Sequence, residues 1–370
     1  MRFSLTSLIR LLVALMLGST AAAIGVSRLA GPAEARRVPR APEYVGLNAF
    51  VLTPGFPGSY WLERDRGRII SPDLAGGDAL DYASLSPWRD DRGRAQAVGR
   101  WSGPLRVDSG AQESGLIRAT FPDGEVLDRV ATDLLPIGAP CWYPGTTARV
   151  LFAAGDGALY RFAFESGPDA GPGRGERDER PRRIGWRVET PGRGPVYIAD
   201  PHWPSDARFG RLLFVALREI EPGMGKPRLS RTRLWWLRLD GDGGAIEGAG
   251  RLIPPGAGPE ADDVEERFPT VGIGPNGGPI LGYLRKVGDA PWELHAAPIA
   301  ADPAGRRPPA VAGLGTKLAD RCLPSAPALS TDGRWISAVT SDASRGAVLV
   351  RVDLATRAAT RAMPGPPTPR

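Results

Sequence analysis

Along this chain, apolar and polar residues alternate with a period of two in short runs, each closed by Gly, Asp or Pro. The clearest run is 327–354. It predicts strands at Pro327–Ser330, Trp335–Thr340 and Ala347–Leu354, with Thr331-Asp332-Gly333 as the first turn. The reason is local: β-branched and apolar residues fill every second position, and Asp-Gly supplies a positive φ at little cost.

Weaker copies recur upstream. Aligned on the first strand, Leu85, Trp142, Trp203, Val271 and Leu329 head units spaced by 57, 61, 68 and 58 residues. After Leu85 the pattern predicts strands at 95–101, 115–121 and 126–130, the last two joined by the turn Pro122-Asp123-Gly124. After Trp142 it predicts 149–153 and 158–164, and after Trp203 it predicts 211–216 and 233–239, ended by Asp240-Gly-Asp-Gly-Gly244. After Val271 come 279–284 and 292–296, and a degenerate unit at 49–53, 59–63 and 68–71 precedes them all. Antiparallel strands repeating in units of about 55–65 residues predict an all-β β-propeller. Six four-stranded blades fit best, with five or seven as the alternatives. The propeller is expected over residues 44–363, followed by a disordered tail at 364–370, with strands from near Tyr44 completing the last blade so that no edge stays open.

Composition agrees with short strands. The chain holds 48 Gly and 38 Pro, about 23% of 370 residues, which is hostile to long helices. Its net charge of +6 comes almost wholly from Arg, since Lys occurs only at 226, 286 and 317. Arg is interleaved with Asp and Glu rather than gathered into a basic stripe with aromatics, so nucleic acid is not an expected partner. Residues 11–27 are uncharged between Arg10 and Arg28, with small residues at Ala21–Ala23 and Ala33-Glu34-Ala35 suited to cleavage. Residues 1–28 therefore read as a signal peptide or membrane anchor, and residues 29–43 as a flexible tether. That places the protein outside the cytoplasm, periplasmic or associated with the cell envelope, and touching a membrane only through this segment.

Chemistry is sparse. His202, in Asp200-Pro-His-Trp-Pro204, is the one candidate for a catalytic or proton-transfer group, against the simpler reading of a hydrogen-bonded seam histidine. His295 has no motif around it. Asp240 and Asp242 are the candidate metal ligands, but a third ligand and a distal Glu are missing, so a tight turn is the better reading. No cofactor motif is present, and no G-x-S-x-G elbow. Cys141 and Cys322 are expected to be unpaired, because their units fall on nearly opposite sides of a six-bladed ring and a disulfide needs Cα atoms within about 7 Å. Two insertions, 166–183 and the acidic 254–267 (Glu260, Asp262, Asp263, Glu265, Glu266), read as solvated loops.

Three of the units carry a resemblance. Ser86-Pro-Trp-Arg-Asp-Asp-Arg-Gly93, Pro140-Cys-Trp-Tyr-Pro-Gly145 before Val150-Leu-Phe-Ala153, and Ala328-Leu-Ser-Thr-Asp-Gly333 before Trp335-Ile-Ser-Ala-Val339 resemble TolB-type propeller repeats over about residues 83–355. The resemblance implies a binding scaffold. The expected function is a non-enzymatic, monomeric, exported propeller that binds a protein or other envelope macromolecule. A propeller hydrolase or lyase working at the channel mouth, and a purely structural envelope protein, are the alternatives.

Overall fold

The computed structural model describes the strands between residues 39 and 121 and most of residues 125–362. The larger segments outside it are 1–38, 165–179, 190–195, 222–227, 254–262, 301–307 and 363–370. The expected signal or anchor segment, the turn at 122–124 and most of the 166–183 insertion thus lie outside the described residues. Among the described residues no helix is long and apolar enough to cross a membrane.

Successive stretches of chain fold into antiparallel meanders. The first is β1 (Pro39–Tyr44), β2 (Ala49–Pro54), β3 (Tyr60–Glu63) and β4 (Arg68–Ile70), hydrogen-bonded in chain order. The next is β5 (Ala79–Arg89), β6 (Ala95–Leu105), β7 (Gln112–Phe121) and β8 (Val126–Ala131). It is followed by β9 (Pro136–Trp142), β10 (Arg149–Ala154), β11 (Leu159–Ala163) and β12 (Arg182–Arg183). A larger sheet takes β13 (Gly185–Trp186), β14 (Val196–His202), β15 (Leu212–Glu221), β16 (Arg228–Leu229), β17 (Arg233–Leu239) and β18 (Ala245–Arg251). Its meander is β14-β15-β17-β18, with β13 parallel to β18 and β16 added to β15.

The last sheet joins β19 (Val264–Ile273), β20 (Pro279–Val287), β21 (Trp292–Ala300), β22 (Ala310–Val311), β23 (Thr316–Cys322), β24 (Ala328–Leu329), β25 (Trp335–Asp342), β26 (Gly346–Asp353) and β27 (Ala359–Ala362). It is two meanders, β19-β20-β21-β23 and β24-β25-β26-β27, stitched together by the single pair Cys322↔Thr340.

The first strands of these meanders lie side by side: β1 beside β5, then β9, β14, β19 and β24, which returns to β1. Sheets fanned around such a cycle make a β-propeller, the all-β architecture expected from the repeats. Closure differs from the expectation. β1 pairs with β2 at the head of its own sheet, and the last meander is completed by β27. The cycle is therefore closed by neighbouring first strands rather than by an N-terminal strand lent to the last sheet.

The core sits in the seams between sheets. Strand β15 shows why: Leu213, Val215 and Leu217 turn toward the β9–β12 sheet and join Cys141, Leu151 and Leu159. The alternate residues Leu212, Phe214 and Ala216 turn the other way and join Val271, Leu281, Tyr283 and Ala297. Side chains alternate across a strand, so a middle strand sandwiched between two neighbours buries both phases. The same occurs at Val98 and Leu116 against Trp142, Val150 and Phe152, and at Leu284 and Leu294 against Ile336, Ala338 and Val352. Among the described residues each of these core clusters spans neighbouring sheets, so stability comes from stacking. Several tryptophans belong to these seams. Trp142 is buried, and Trp186, Trp203, Trp235, Trp236 and Trp292 pack partly buried against these clusters.

Candidate functional site

Three adjacent first strands kink. Register shifts interrupt β9 between the partners of Leu151 and Ala153, β14 between Ala199 and His202, and β19 between Arg267 and Thr270. At each shift one residue takes a left-handed backbone: Gly138 (φ 75), Asp200 (φ 50) and Phe268 (φ 55). A Pro follows directly after Asp200 and Phe268 and removes the donor that a regular ladder would need. Left-handed geometry at a bulky Phe costs about 1–3 kcal/mol, so the surroundings must hold it in place.

What holds it is the Asp200 carboxylate. Arg267 donates to it twice, Nε to Oδ2 at 2.9 Å and Nη2 to Oδ1 at 3.0 Å, and the Phe268 amide adds a longer bond at 3.4 Å. The Asp200 side chain is nearly buried. Arg267 then lies 4.5 Å above the Phe268 ring, and that ring meets Trp292 edge-on at 6.4 Å. The two bulges thus clamp β14 to β19 through a bidentate pair, the strong form of a charge-assisted bond.

Just before this clamp, the expected acidic loop must be corrected. Glu265 and Glu266 are not in a solvated insertion but inside β19, and both are buried. Glu265 is paired with Lys286 at 3.2 Å and Arg218 at 3.6 Å. Glu266 Oε2 accepts the Leu234 amide at 3.3 Å, while its own amide donates to the Thr232 carbonyl at 2.9 Å. Burial lifts the Glu266 carboxyl above its ordinary range, and the Leu234 bond with Arg233, Arg251 and Arg285 only partly offsets it. Asp263 remains a surface residue, paired with Arg231 at 2.7 Å. Glu260 and Asp262 lie outside the described residues. A signal was present in the sequence: Val264-Glu-Glu-Arg-Phe268 runs into Pro269-Thr-Val271 without a turn residue, but the bulge at Phe268 breaks the alternation that marks a strand.

His202 closes β14, and its Nε2 lies 3.2 Å from the Val271 carbonyl of β19. That contact makes Nε2 the protonated nitrogen, donating to the carbonyl. Some of its surface remains accessible, yet neighbouring atoms enclose the ring enough that desolvation lowers its pKa from 6.5 to about 4, the Val271 bond opposing weakly. A neutral ring committed to a backbone carbonyl is a seam histidine. His295 is buried on β21, with Nε2 3.0 Å from Glu293, whose other oxygen accepts from Lys317 at 2.7 Å.

Asp240 and Asp242 form the β17–β18 turn. Asp240 Oδ1 accepts the Gly244 amide at 2.7 Å and Oδ2 faces Arg187 at 3.2 Å, while Asp242 offers its backbone carbonyl to Arg161 at 2.8 Å. Gly243 (φ 66) packs so closely on Tyr143 that a side chain there would overlap the ring. Among the described residues, no group of three or more His, Cys, Asp or Glu is arranged to hold a metal ion. Cys141 and Cys322 are both free and buried in different seams, and burial pushes both thiols up to about 12.

No family model and no curated protein matches this chain. Among solved structures it is similar to TolB from Acinetobacter baumannii, at 12% identity and a TM-score of 0.48 over 88% of this chain and 63% of that one. It is similar also to a putative TolB from Agrobacterium tumefaciens, at 14% identity and a TM-score of 0.47 over 80% of this chain and 87% of that one. A puromycin hydrolase matches at 16% identity and a TM-score of 0.45, over 90% of this chain but only 46% of the hydrolase. The chain thus spans less than two thirds of the first of these proteins and under half of the hydrolase. The β-propeller itself is established by the sheet order and the cycle of first strands, and TolB structures are among its structural neighbours.

Proposed function

We propose that this protein is an exported, six-bladed β-propeller acting as a non-enzymatic scaffold, with a protein or other envelope macromolecule held on the rim where β19 begins. The blade number is inferred from the six meanders and the cycle of first strands. Export is inferred from residues 1–28, whether they are cleaved or kept as an anchor.

The observation that carries the binding reading is the density of charged side chains at one end of two neighbouring blades. There the ends of β15 and β20 and the start of β17 meet the start of β19, and Glu265 pairs with Arg218 and Lys286 while Asp263 pairs with Arg231. Mixed charge on a rim steers an encounter and fixes its register. The groups best placed for acid–base work are meanwhile engaged structurally: His202 with the Val271 carbonyl, and Asp200 with Arg267.

The test is recovery of a partner from envelope fractions with the native chain, with Arg231→Glu, and with the swapped pair Arg231→Asp/Asp263→Arg. The native chain should retain a partner that both variants lose, since the swap keeps the ion pair but reverses the field. Recovery of no partner, together with a substrate screen showing turnover that disappears in His202→Ala, would replace the scaffold by an enzyme.

A further inference from the structure

We propose that Asn276-Gly277, at the tip of the β19–β20 hairpin, is a self-modifying site: the asparagine deamidates through a cyclic imide, and Arg208 of the neighbouring blade sets the rate. Asparagine is scarce in this chain, occurring only at positions 48 and 276, and only Asn276 precedes a glycine. The hairpin turn is Gly274-Pro-Asn-Gly-Gly278, and Pro275 through Gly278 are exposed. Among the described residues no hydrogen bond holds the Asn276 side chain, so it can turn onto the peptide that follows it. Gly277 leaves room for that approach: its backbone is left-handed at φ 72, and nothing lies within 4 Å of the place a side chain would fill.

The step needs only water. The Gly277 amide nitrogen gives its proton to solvent and attacks Cγ of Asn276. A new C–N bond forms, the bond from Cγ to the side-chain nitrogen breaks, and ammonia leaves. Water then opens the imide at either carbonyl and leaves aspartate or isoaspartate at 276, with nothing oxidised or reduced. Hydrogen bonds restrain the reaction. The Gly277 amide donates to the Gly274 carbonyl at 2.9 Å, and the Gly274 amide donates to the Gly278 carbonyl at 2.7 Å. The Gly277 carbonyl in turn accepts from Arg208 Nη1 at 3.0 Å. Arg208 lies in the short 3-10 turn Ala207–Phe209 between β14 and β15, where Asp206 Oδ2 accepts its Nε at 2.9 Å and its Nη2 at 2.8 Å. A guanidinium from one blade, itself fixed by a carboxylate, thus pins the reacting peptide of the next. The attacking nitrogen is released only when the hairpin opens locally. Isoaspartate adds a carbon to the main chain at 276, so the turn and the Arg208 contact can no longer keep the same geometry.

The full chain, incubated folded in mildly alkaline buffer, is sampled over time and digested with trypsin. Mass spectrometry then reads the peptide Phe268–Arg285, which holds no other side-chain amide. Conversion at 276 should accumulate in the folded native chain and run faster in Arg208→Gln by about threefold or more, the worth of one exposed hydrogen bond. Gly277→Ala should slow it, because a methyl group crowds the attacking nitrogen, and Asn276→Gln should abolish it. Arg129→Gln, on β8 of the β5–β8 sheet, should match the native rate. A sample held in urea gives the rate of the unbraced sequence, and thermal unfolding of each variant checks that it is folded. Conversion confined to the urea sample, or equal rates in the native chain and Arg208→Gln, overturns the proposal. The isoaspartyl fraction, separated by ion exchange, should melt below the unconverted protein; equal melting temperatures would overturn the link between the modification and the blade contact.

Discussion

Gly333→Ala tests whether the last blade is seated on its neighbour. Gly333 turns the chain between β24 and β25 at φ 67, and its amide closes the turn onto the Ser330 carbonyl at 2.9 Å. A methyl group placed there would lie 2.9 Å from the Ile273 carbonyl carbon and 3.0 Å from the Gly274 carbonyl carbon, with the Ile273 oxygen nearer still. Those atoms are backbone at the end of β19, so they cannot rotate away as a side chain could. Two penalties then add: about 1–2 kcal/mol for a left-handed alanine, and about 1–3 kcal/mol for forcing packed atoms apart. The expected loss is about 2–5 kcal/mol of unfolding free energy.

Gly277→Ala separates the two terms. Gly277 has nearly the same backbone, φ 72, but nothing within 4 Å of the position a methyl would take. It should cost only the conformational term, about 1–2 kcal/mol. Urea unfolding followed by tryptophan fluorescence gives both values. If the two variants agree to within about 0.5 kcal/mol, the β24–β25 turn is free in solution and the packing of that blade on β19 is wrong.

Other expectations follow from single groups. Folded His202 titrates near 4, below the ordinary 6.5, so the unfolded chain takes up the proton first. Stability should be full above pH 6.5 and fall toward pH 4, by at most about 3 kcal/mol. A His202→Gln variant should flatten that stretch of the profile, and parallel profiles for the two proteins would contradict the enclosure. Asp200→Asn should cost about 2–3 kcal/mol, and a double-mutant cycle with Arg267→Gln should show coupling of about 1–3 kcal/mol; additive effects would break the proposed clamp. Cys141 and Cys322, raised to about 12 by burial, should resist a disulfide reagent in mildly alkaline buffer and react together on denaturation.

The repeat was legible because its middle strands are the ones buried on both sides. Strands β10, β15, β20 and β25 begin within a residue or two of the positions read from alternation, since an apolar residue is needed in each phase and a turn must follow. The fourth strands were mostly missed. β12 is only Arg182–Arg183, and β23 and β27 read Thr-Lys-Leu-Ala-Asp-Arg-Cys and Ala-Thr-Arg-Ala, largely half-buried or exposed. An outermost strand is held by one neighbour and packs on little, so nothing forces a pattern on it. The first strands were found but clipped. β14 runs back to Val196 from the anchor at Trp203, because the bulge at Asp200 shifts the alternating phase halfway along.

The same bulges explain why the charged seam escaped notice. Arg233, Arg251, Glu266 and Arg285 each occupy a polar slot in an alternating strand, and in an ordinary sheet that slot faces water. A blade has a neighbour on each side, so the slot faces water only beyond the end of the neighbouring strand. Where first strands kink, as β14 and β19 do at Asp200 and Phe268, the ends no longer line up, and polar slots near them are drawn into the seam. Glu265 and Glu266 are the direct result: charged by sequence, loop-like by composition, and buried at 7% and 3% exposure. In a propeller, then, charges just before a Pro-containing first strand belong to the seam, and they must be balanced there. Glu265 is balanced within the chain, by Lys286 and Arg218. Glu266 is held by the Leu234 amide, and Arg233, Arg251 and Arg285 partly offset the cost of burying its charge.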